Sequence, residues 1–350
     1  MWAELLSSYT VRIVLMGTVL LGIVSGIIGV FLTLKKQSLV GDALSHSALP
    51  GVVLAYIIMQ QSSLVVSVIG AILASIFALF LMNIIKKYSK IKNDAILAII
   101  LSGLFGFGQV LLSAIRDTAG QDQARLNTFI FGQAATMSVE DIFFLVIILT
   151  FVLLLVMLFW RHIKLFIFNR EFYQSLGFSG KLINIILNSI VVLVVVSGIQ
   201  TVGVILMSAL LIAPGVAARL WSNRLGTNVI IATFFGALSG FLGTMFGINM
   251  ATGPVIVIVA TSIVIISLLF APRTGFIWSK IAEKIHKFQI NKYHGLIHFF
   301  ETGHTKEISK DSLDFFIEKG YFILEDGIYD LSSKGKEKVY KIMAGEFKWI

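Results

Sequence analysis

Gly41-Asp42-Ala43-Leu44-Ser45-His46-Ser47-Ala48-Leu49-Pro50-Gly51 sets a carboxylate and an imidazole between two strongly apolar segments. Ionisable side chains are expensive inside a membrane, and where they occur they mark ion pathways and binding sites. Asp42 and His46 are four residues apart, so a helix places them on one face, near enough to share a ligand. Pro50 lacks the N–H that would bond the His46 carbonyl, which leaves that oxygen open to coordination. Carboxylate, imidazole and carbonyl together suit a divalent transition metal.

Outward from this stretch the chain is apolar. Hydrophobic residues make up 57% and charged residues 13%, with a mean hydropathy of +0.91, which excludes a soluble globular domain and points to a polytopic membrane protein. The absence of Cys removes disulfides, thiolate metal sites and cysteine nucleophiles. Met1 to Thr10 carries no positive charge and runs into an apolar stretch long enough to span a bilayer, so it reads as the entry to a first span and not as a cleavable signal. Apolar stretches at Val11 to Leu34, Ala48 to Met59, Leu64 to Ile85, Ala95 to Ile115, Ile142 to Trp160, Leu182 to Ile199, Val202 to Ala213, Val229 to Ile248 and Val255 to Phe270 give nine candidate spans. The second and seventh adjoin Pro50-Gly51 and Pro214-Gly215, so broken or re-entrant helices are expected there.

The net charge of +9 reports topology and anionic lipid before it reports nucleic acid. Lys35-Lys36, the Lys86 to Lys92 cluster, the Arg161 to Lys181 segment, Arg219 with Arg224, and the Lys-rich tail after Arg273 all fall on one side if every candidate crosses. That side is cytoplasmic, which puts the N-terminus outside and the C-terminus inside. Gly22 and Gly26, and the series Gly236, Gly240, Gly243 and Gly247, are small-residue ridges of the kind that let helices approach closely in lipid. Asp94, Glu140 and Asp141 stand at helix starts, as caps do, and a cap of the second span is also the plain structural alternative for Asp42.

Four motifs carry a resemblance. They are the Gly41 to Gly51 stretch, Asn169-Arg170-Glu171-Phe172 to Leu176-Gly177, the run from Gln200 through Ala213-Pro214-Gly215 to Gly226, and Thr252-Gly253-Pro254-Val255. In this order, over roughly Leu5 to Gly275, the chain resembles the permease subunit of bacterial ABC importers for manganese, zinc or iron. The resemblance implies a homodimeric, multi-pass permease in the bacterial plasma (inner) membrane, with two separate ATPase subunits on the cytoplasmic side and an extracytoplasmic metal-binding receptor. It implies that Asp42 and His46 hold the transported metal and that no cofactor is permanently bound. It also implies a short cytoplasmic helix that couples to the ATPase, which by position is Val216-Ala217-Ala218-Arg219-Leu220-Trp221-Ser222-Asn223-Arg224-Leu225-Gly226. The chain has no G-x-x-x-x-G-K-[ST] phosphate loop, since Gly177-Phe178-Ser179-Gly180-Lys181-Leu182 has the wrong spacing, so ATP hydrolysis falls to a partner.

Beyond Gly275 the composition changes to Lys- and Glu-bearing amphipathic segments with no span. Ile277 to Phe300 reads as one or two helices, Ser309 to Lys319 as another, Tyr321 to Leu324 and Ile328 to Leu331 as strands about a Glu325-Asp326-Gly327 turn, and Ser332 to Ala344 as a closing helix. That order is similar to the latter part of a winged-helix domain. Glu318, Glu325, Asp326 and Asp330 sit in and beside its hairpin and disfavour nucleic acid as a partner, leaving a docking or regulatory role.

The expected fold is thus an all-α polytopic membrane domain of about nine helices, some broken, over residues 1–275, with a small α+β winged-helix-like cytoplasmic domain over 276–350. The function expected is metal import, with a membrane-tethered metal sensor as the alternative. An intramembrane hydrolase is excluded by the lack of an H-E-x-x-H motif or a nucleophile with its base. His162, His286, His294, His298 and His304 read as structural or solvated.

Overall fold

In lipid, each backbone N–H and C=O must be satisfied within its own segment, so apolar runs of this length become helices. The computed structural model describes residues 8–60, 64–115, 137–248, 250, 252–272, 274–303, 308, 310–325 and 328–343. Two units are present, Met1–Ala271 and Pro272–Ile350. The first holds α1 (Tyr9–Leu34), α2 (Leu39–Met59), α3 (Leu64–Tyr88), α4 (Asn93–Ala114), α5 (Val139–Leu158), α6 (Trp160–Phe168), α7 (Arg170–Ser175), α8 (Gly180–Val202), α9 (Val204–Trp221), α10 (Leu225–Gly247) and α11 (Thr252–Phe270). Among the described residues eight of these are long and apolar enough to cross a membrane, and α9 contributes a shorter apolar stretch, Leu206–Trp221. Each of the nine apolar stretches is therefore a helix, though one of them is short.

Helix α1 lies innermost, with Leu21, Val24, Ile28 and Phe31 almost wholly buried. Its small residues face the ridge on α10. A Cβ on Gly22 would strike the Gly236 carbonyl, one on Gly26 would strike that of Ala232, and Gly240 stands against the Thr18 backbone. Close approach of this kind gains dispersion contact along both backbones, which is what holds helices together where lipid is as apolar as Leu. A buried hydroxyl pair, Thr18 Oγ1 and Thr244 Oγ1 at 2.8 Å, closes the same seam. The far end of the ridge serves α11, since Gly243 lies against Ile256 and Gly247 against Thr252.

Neither Pro-Gly pair breaks its helix. Pro50 lies inside α2 and Pro214 inside α9, and both helices run on past them. A proline removes one hydrogen bond, and neighbouring helices at close range compensate for it. Gly51 touches Gly70 of α3, and Gly215 touches Gly29 of α1, so each glycine after the proline is where another backbone comes nearest.

Helix ends follow their caps. Ser138 and Asp141 form a capping box at the start of α5, with the Ser138 N–H donating to Asp141 Oδ2 at 2.9 Å, as the position of Asp141 leads one to expect. Asn169 caps α7 by accepting from the Phe172 N–H at 2.9 Å.

The second unit contains α12 (Phe276–Lys292), α13 (His294–Thr302), α14 (Lys310–Glu318), strands β1 (Phe322–Glu325) and β2 (Ile328–Leu331), and α15 (Ser333–Met343). The strands are antiparallel, with Phe322 opposite Leu331 and Glu325 opposite Ile328. The Asp326-Gly327 turn lies outside the described residues. Leu296, Phe299, Phe316, Phe322, Val339 and Ile342 form a core of their own. Ser332 caps α15 by accepting from the Gly335 N–H at 3.0 Å, and its hydroxyl donates to the Gly320 carbonyl at 2.6 Å, tying the helix start to the strand entry.

Candidate metal site and cytoplasmic segment

Helix α2 opens at Leu39 with Ser38 in the cap position, so Asp42 is not its cap but projects from the first turn. Asp42 Oδ1 and His46 Nε2 are 3.4 Å apart, with the side chains 26% and 21% exposed. The pair is thus sheltered from bulk water yet reachable, as an ion-binding group must be. Around it the α2 backbone is sealed. Ser45 and Ser47 are fully buried and turn their hydroxyls back onto the Gly41 and Leu44 carbonyls at 2.8 and 3.0 Å.

On its other side His46 meets Phe105 of α4 edge to face, with centroids 4.8 Å apart and planes at 87°. His46 Nδ1 is buried and has no hydrogen-bond partner among the described residues. The lack of a proline N–H at Pro50 frees the His46 carbonyl one turn on, and Pro50 itself packs on the α4 backbone at Gly108. The carboxylate, the imidazole and this oxygen are the donor set that the sequence suggests for a transition metal. Among the described residues no group of three or more His, Asp or Glu side chains is gathered, so the side-chain donors at this position are these two. A cavity of about 450 Å³ farther along α2 is walled by residues such as Leu54, Ile58, Leu73, Phe77 and Phe107, and it offers a cation nothing.

The segment Val216 to Gly226 differs from expectation. It is not a separate short helix behind a broken one. Val216 to Trp221 is the last stretch of α9, Ser222 to Arg224 is a tight connection in which the Arg224 N–H donates to Ser222 Oγ at 3.1 Å, and Leu225 and Gly226 begin α10. The reason is Pro214, which the helix absorbs instead of ending on it. Ala217, Ala218 and Leu225 are buried, whereas Arg219, Trp221, Asn223 and Arg224 are exposed, so the segment still presents a basic, aromatic edge.

One feature of this basic side had no signal in the sequence beyond a lysine pair. Lys35, just past the end of α1, is half-buried and donates to Asn184 Oδ1 of α8 at 2.8 Å. Burial first, then the Arg170 and Lys86 cations, hold its ammonium well below the ordinary lysine range, at about 8. His162 fits a structural role, with Nδ1 3.3 Å from the Tyr173 hydroxyl and the Phe178 ring against it.

The ABC 3 transport family matches residues 7–271, the whole of the helical unit apart from its first few residues. The chain belongs to that family. It is accordingly a multi-pass ABC permease of the plasma membrane, and its family is one of transporters, not of classical enzymes. Among its relatives, the zinc transport system membrane protein TroC of Treponema pallidum is 40% identical over 79% of this chain and 93% of its own length. The manganese transport system membrane protein MntC of Bacillus subtilis is 36% identical over 97% of this chain and 83% of its own, a match that must run into the second unit. The solved structure of PsaBC from Streptococcus pneumoniae in complex with Fab superposes with a TM-score of 0.70 at 29% identity, covering 80% of this chain and 98% of that one. The ABC 3 permease fold is therefore shared in both sequence and shape.

Proposed function

We propose that this protein is the membrane-spanning permease subunit of an ABC importer that carries a divalent transition metal, manganese, zinc or iron, into the cytoplasm. The observation that carries this reading is the Asp42 and His46 pair, 3.4 Å apart and part-exposed on one face of an otherwise apolar helix. Relatives named for zinc and manganese transport support it. They are transport-system proteins, which favours import over a membrane-tethered sensor. In this reading Asp42, His46 and the His46 carbonyl hand the ion through the membrane. Phe105 covers one side of the imidazole.

ATP is hydrolysed by two separate ATPase subunits, and the exposed Arg219, Trp221, Asn223 and Arg224 edge is the contact that receives their motion. Two copies of the chain form the pore, an extracytoplasmic receptor delivers the ion, and the N-terminus is outside with the C-terminus in the cytoplasm. The second unit acts as a winged-helix-like docking or regulatory domain toward protein. Elemental analysis of metal accumulated by cells carrying the intact gene, its deletion, or Asp42→Asn and His46→Gln variants tests the proposal. Equal accumulation of manganese, zinc and iron in all four strains would sink it.

A further inference from the structure

Three cations from three elements gather on the basic side of the helical unit. Lys35 closes α1, Lys86 lies in the last turn of α3, and Arg170 opens α7. Lys35 is half-buried and gives one N–H to Asn184 Oδ1 of α8 at 2.8 Å. Lys86 and Arg170 are exposed, and both stand near enough to Lys35 to depress its ammonium. The Arg170 guanidinium lies over the buried Phe166 ring, 5.8 Å from its centroid, which holds it in place by its face. Among the described residues no carboxylate pairs with any of the three, not even Glu171 beside Arg170. Like charges gathered without a counter-charge repel one another, and a phosphate set among them would relieve that repulsion and accept their N–H groups.

An apolar groove leads to this cluster. It is a cavity of about 450 Å³ between α3 and α8, within the roughly 300–1,000 Å³ range of ligand sites. Ile72, Ile76, Val192 and Leu193 wall its length, while Asn83 and Asn188 are among its few polar residues. Helix α3 ends on the basic side and α8 begins there, so the two polar residues mark the end of the groove that opens toward the cations. Asn83 stands one turn before Lys86, and Asn188 one turn after Asn184. An inorganic phosphate would answer the cations and leave the groove empty. A neutral apolar molecule would fill the groove and leave the cations unanswered. The occupant that answers both is long and apolar with an anionic phosphate head.

We propose that the α3 to α8 groove and the Lys35, Lys86 and Arg170 cluster form a binding site for one anionic phospholipid, with an acyl chain along Ile72, Ile76 and Leu193 and the headgroup phosphate among the three cations. Basic pockets between membrane helices hold acidic lipid headgroups in this way. Because Lys35 stands where α1 passes into α2, the headgroup braces the entry to the helix that carries Asp42 and His46.

The test is native mass spectrometry of the full-length protein in detergent, titrated with palmitoyl-oleoyl phosphatidylglycerol and, separately, with the phosphatidylcholine of the same chains. The wild type should retain one phosphatidylglycerol more tightly than phosphatidylcholine. Lys86→Gln/Arg170→Gln, which changes two exposed side chains, should weaken phosphatidylglycerol by roughly thirtyfold, about fivefold for each cation, and leave phosphatidylcholine unchanged. Lys90→Gln/Lys92→Gln removes the same charge from the exposed connection after α3 and should keep the preference. Ile76→Trp, at an exposed position in the groove wall, should weaken both lipids, and millimolar inorganic phosphate should displace neither. Equal retention of the two lipids by the wild type would overturn the proposal, as would equal losses in the two charge variants, which would mean a diffuse basic surface. Displacement by inorganic phosphate together with full lipid binding in Ile76→Trp would reduce the site to a plain anion site and overturn it as well.

Discussion

Gly29 of α1 and Gly215 of α9 meet backbone to backbone, and a Cβ on Gly215 would stand 2.6 Å from the Gly29 carbonyl carbon. No rotamer relieves a clash with backbone. Gly215→Val should therefore push α9 off α1 and destabilise the fold by about 1–3 kcal/mol or more, the range for overpacked interiors. Gly253→Ala, at the start of α11, has only a Leu206 methyl within 3.8 Å and serves as the tolerant control. Thermal unfolding in detergent separates them, and a Gly215→Val protein as stable as Gly253→Ala would contradict the contact.

Removing either member of the metal pair should lower uptake by more than the roughly 10–100-fold typical of changes one shell farther out. Asp42→Asn and His46→Gln keep size and polarity, so the permease should still reach the membrane. Metal uptake at the wild-type rate in both would remove the pair from the pathway.

Lys35 makes stability depend on alkaline pH. Its folded value of about 8 lies below the ordinary 10.5, so between those limits the unfolded chain binds the extra proton and raising the pH favours the fold. Below about pH 8 both states are protonated and the handicap of the buried cation is constant. The stability of wild type relative to Lys35→Met should thus be flat below pH 8 and climb from there toward 10.5, as read from unfolding midpoints in a pH series. A difference that falls across that window would be the wrong sign.

At the α9 to α10 connection, reversing the charges of Arg219 and Arg224 should lower transport by at least roughly tenfold, the scale for losing charged contacts across an interface, without touching metal binding at Asp42 and His46. A cysteine introduced as Ser222→Cys should cross-link to the ATPase subunit. Labelling of that cysteine from outside the cell would refute both the orientation and the coupling role.

The C-terminal unit closes its own core around Leu296, Phe316 and Val339. Residues 272–350 expressed alone should show helical circular dichroism and a cooperative melt, and should bind DNA no more strongly than a generic cationic control across a salt series. Sequence-selective, salt-resistant DNA binding would overturn the protein-docking role.

Much of this architecture was legible beforehand because hydropathy alone dictates helices in lipid, and the two glycine ridges could be read as contact faces from their three- and four-residue spacing. The strand Ile328–Leu331 likewise coincides with its apolar run between turn residues. The prolines misled, since the rule that proline ends a helix comes from water, where a freed carbonyl is easily hydrated and the chain can turn away. Pro50 and Pro214 are instead clamped between neighbours. The meeting of His46 with Phe105 had no signal, because nothing local in either segment records which face of α4 turns toward α2. Likewise Lys35 looked like one member of a topogenic pair until Asn184, Arg170 and Lys86 gathered about it.

The proline in α2 has a mechanical consequence. Past Pro50 the helix is fastened to α3 where Gly51 and Gly70 touch, backbone on backbone. Before it, the stretch that carries Asp42 and His46 is packed on its neighbours at Val40, Ala43, Leu44, Ala48 and Leu49, and at Gly41 it meets the side chain of Leu211. Between the two stretches the helix is one hydrogen bond short, and a bend is cheapest there. Any bend of helix α2 therefore centres on residue 50, between a stretch fastened to α3 and the turns that carry the carboxylate and the imidazole.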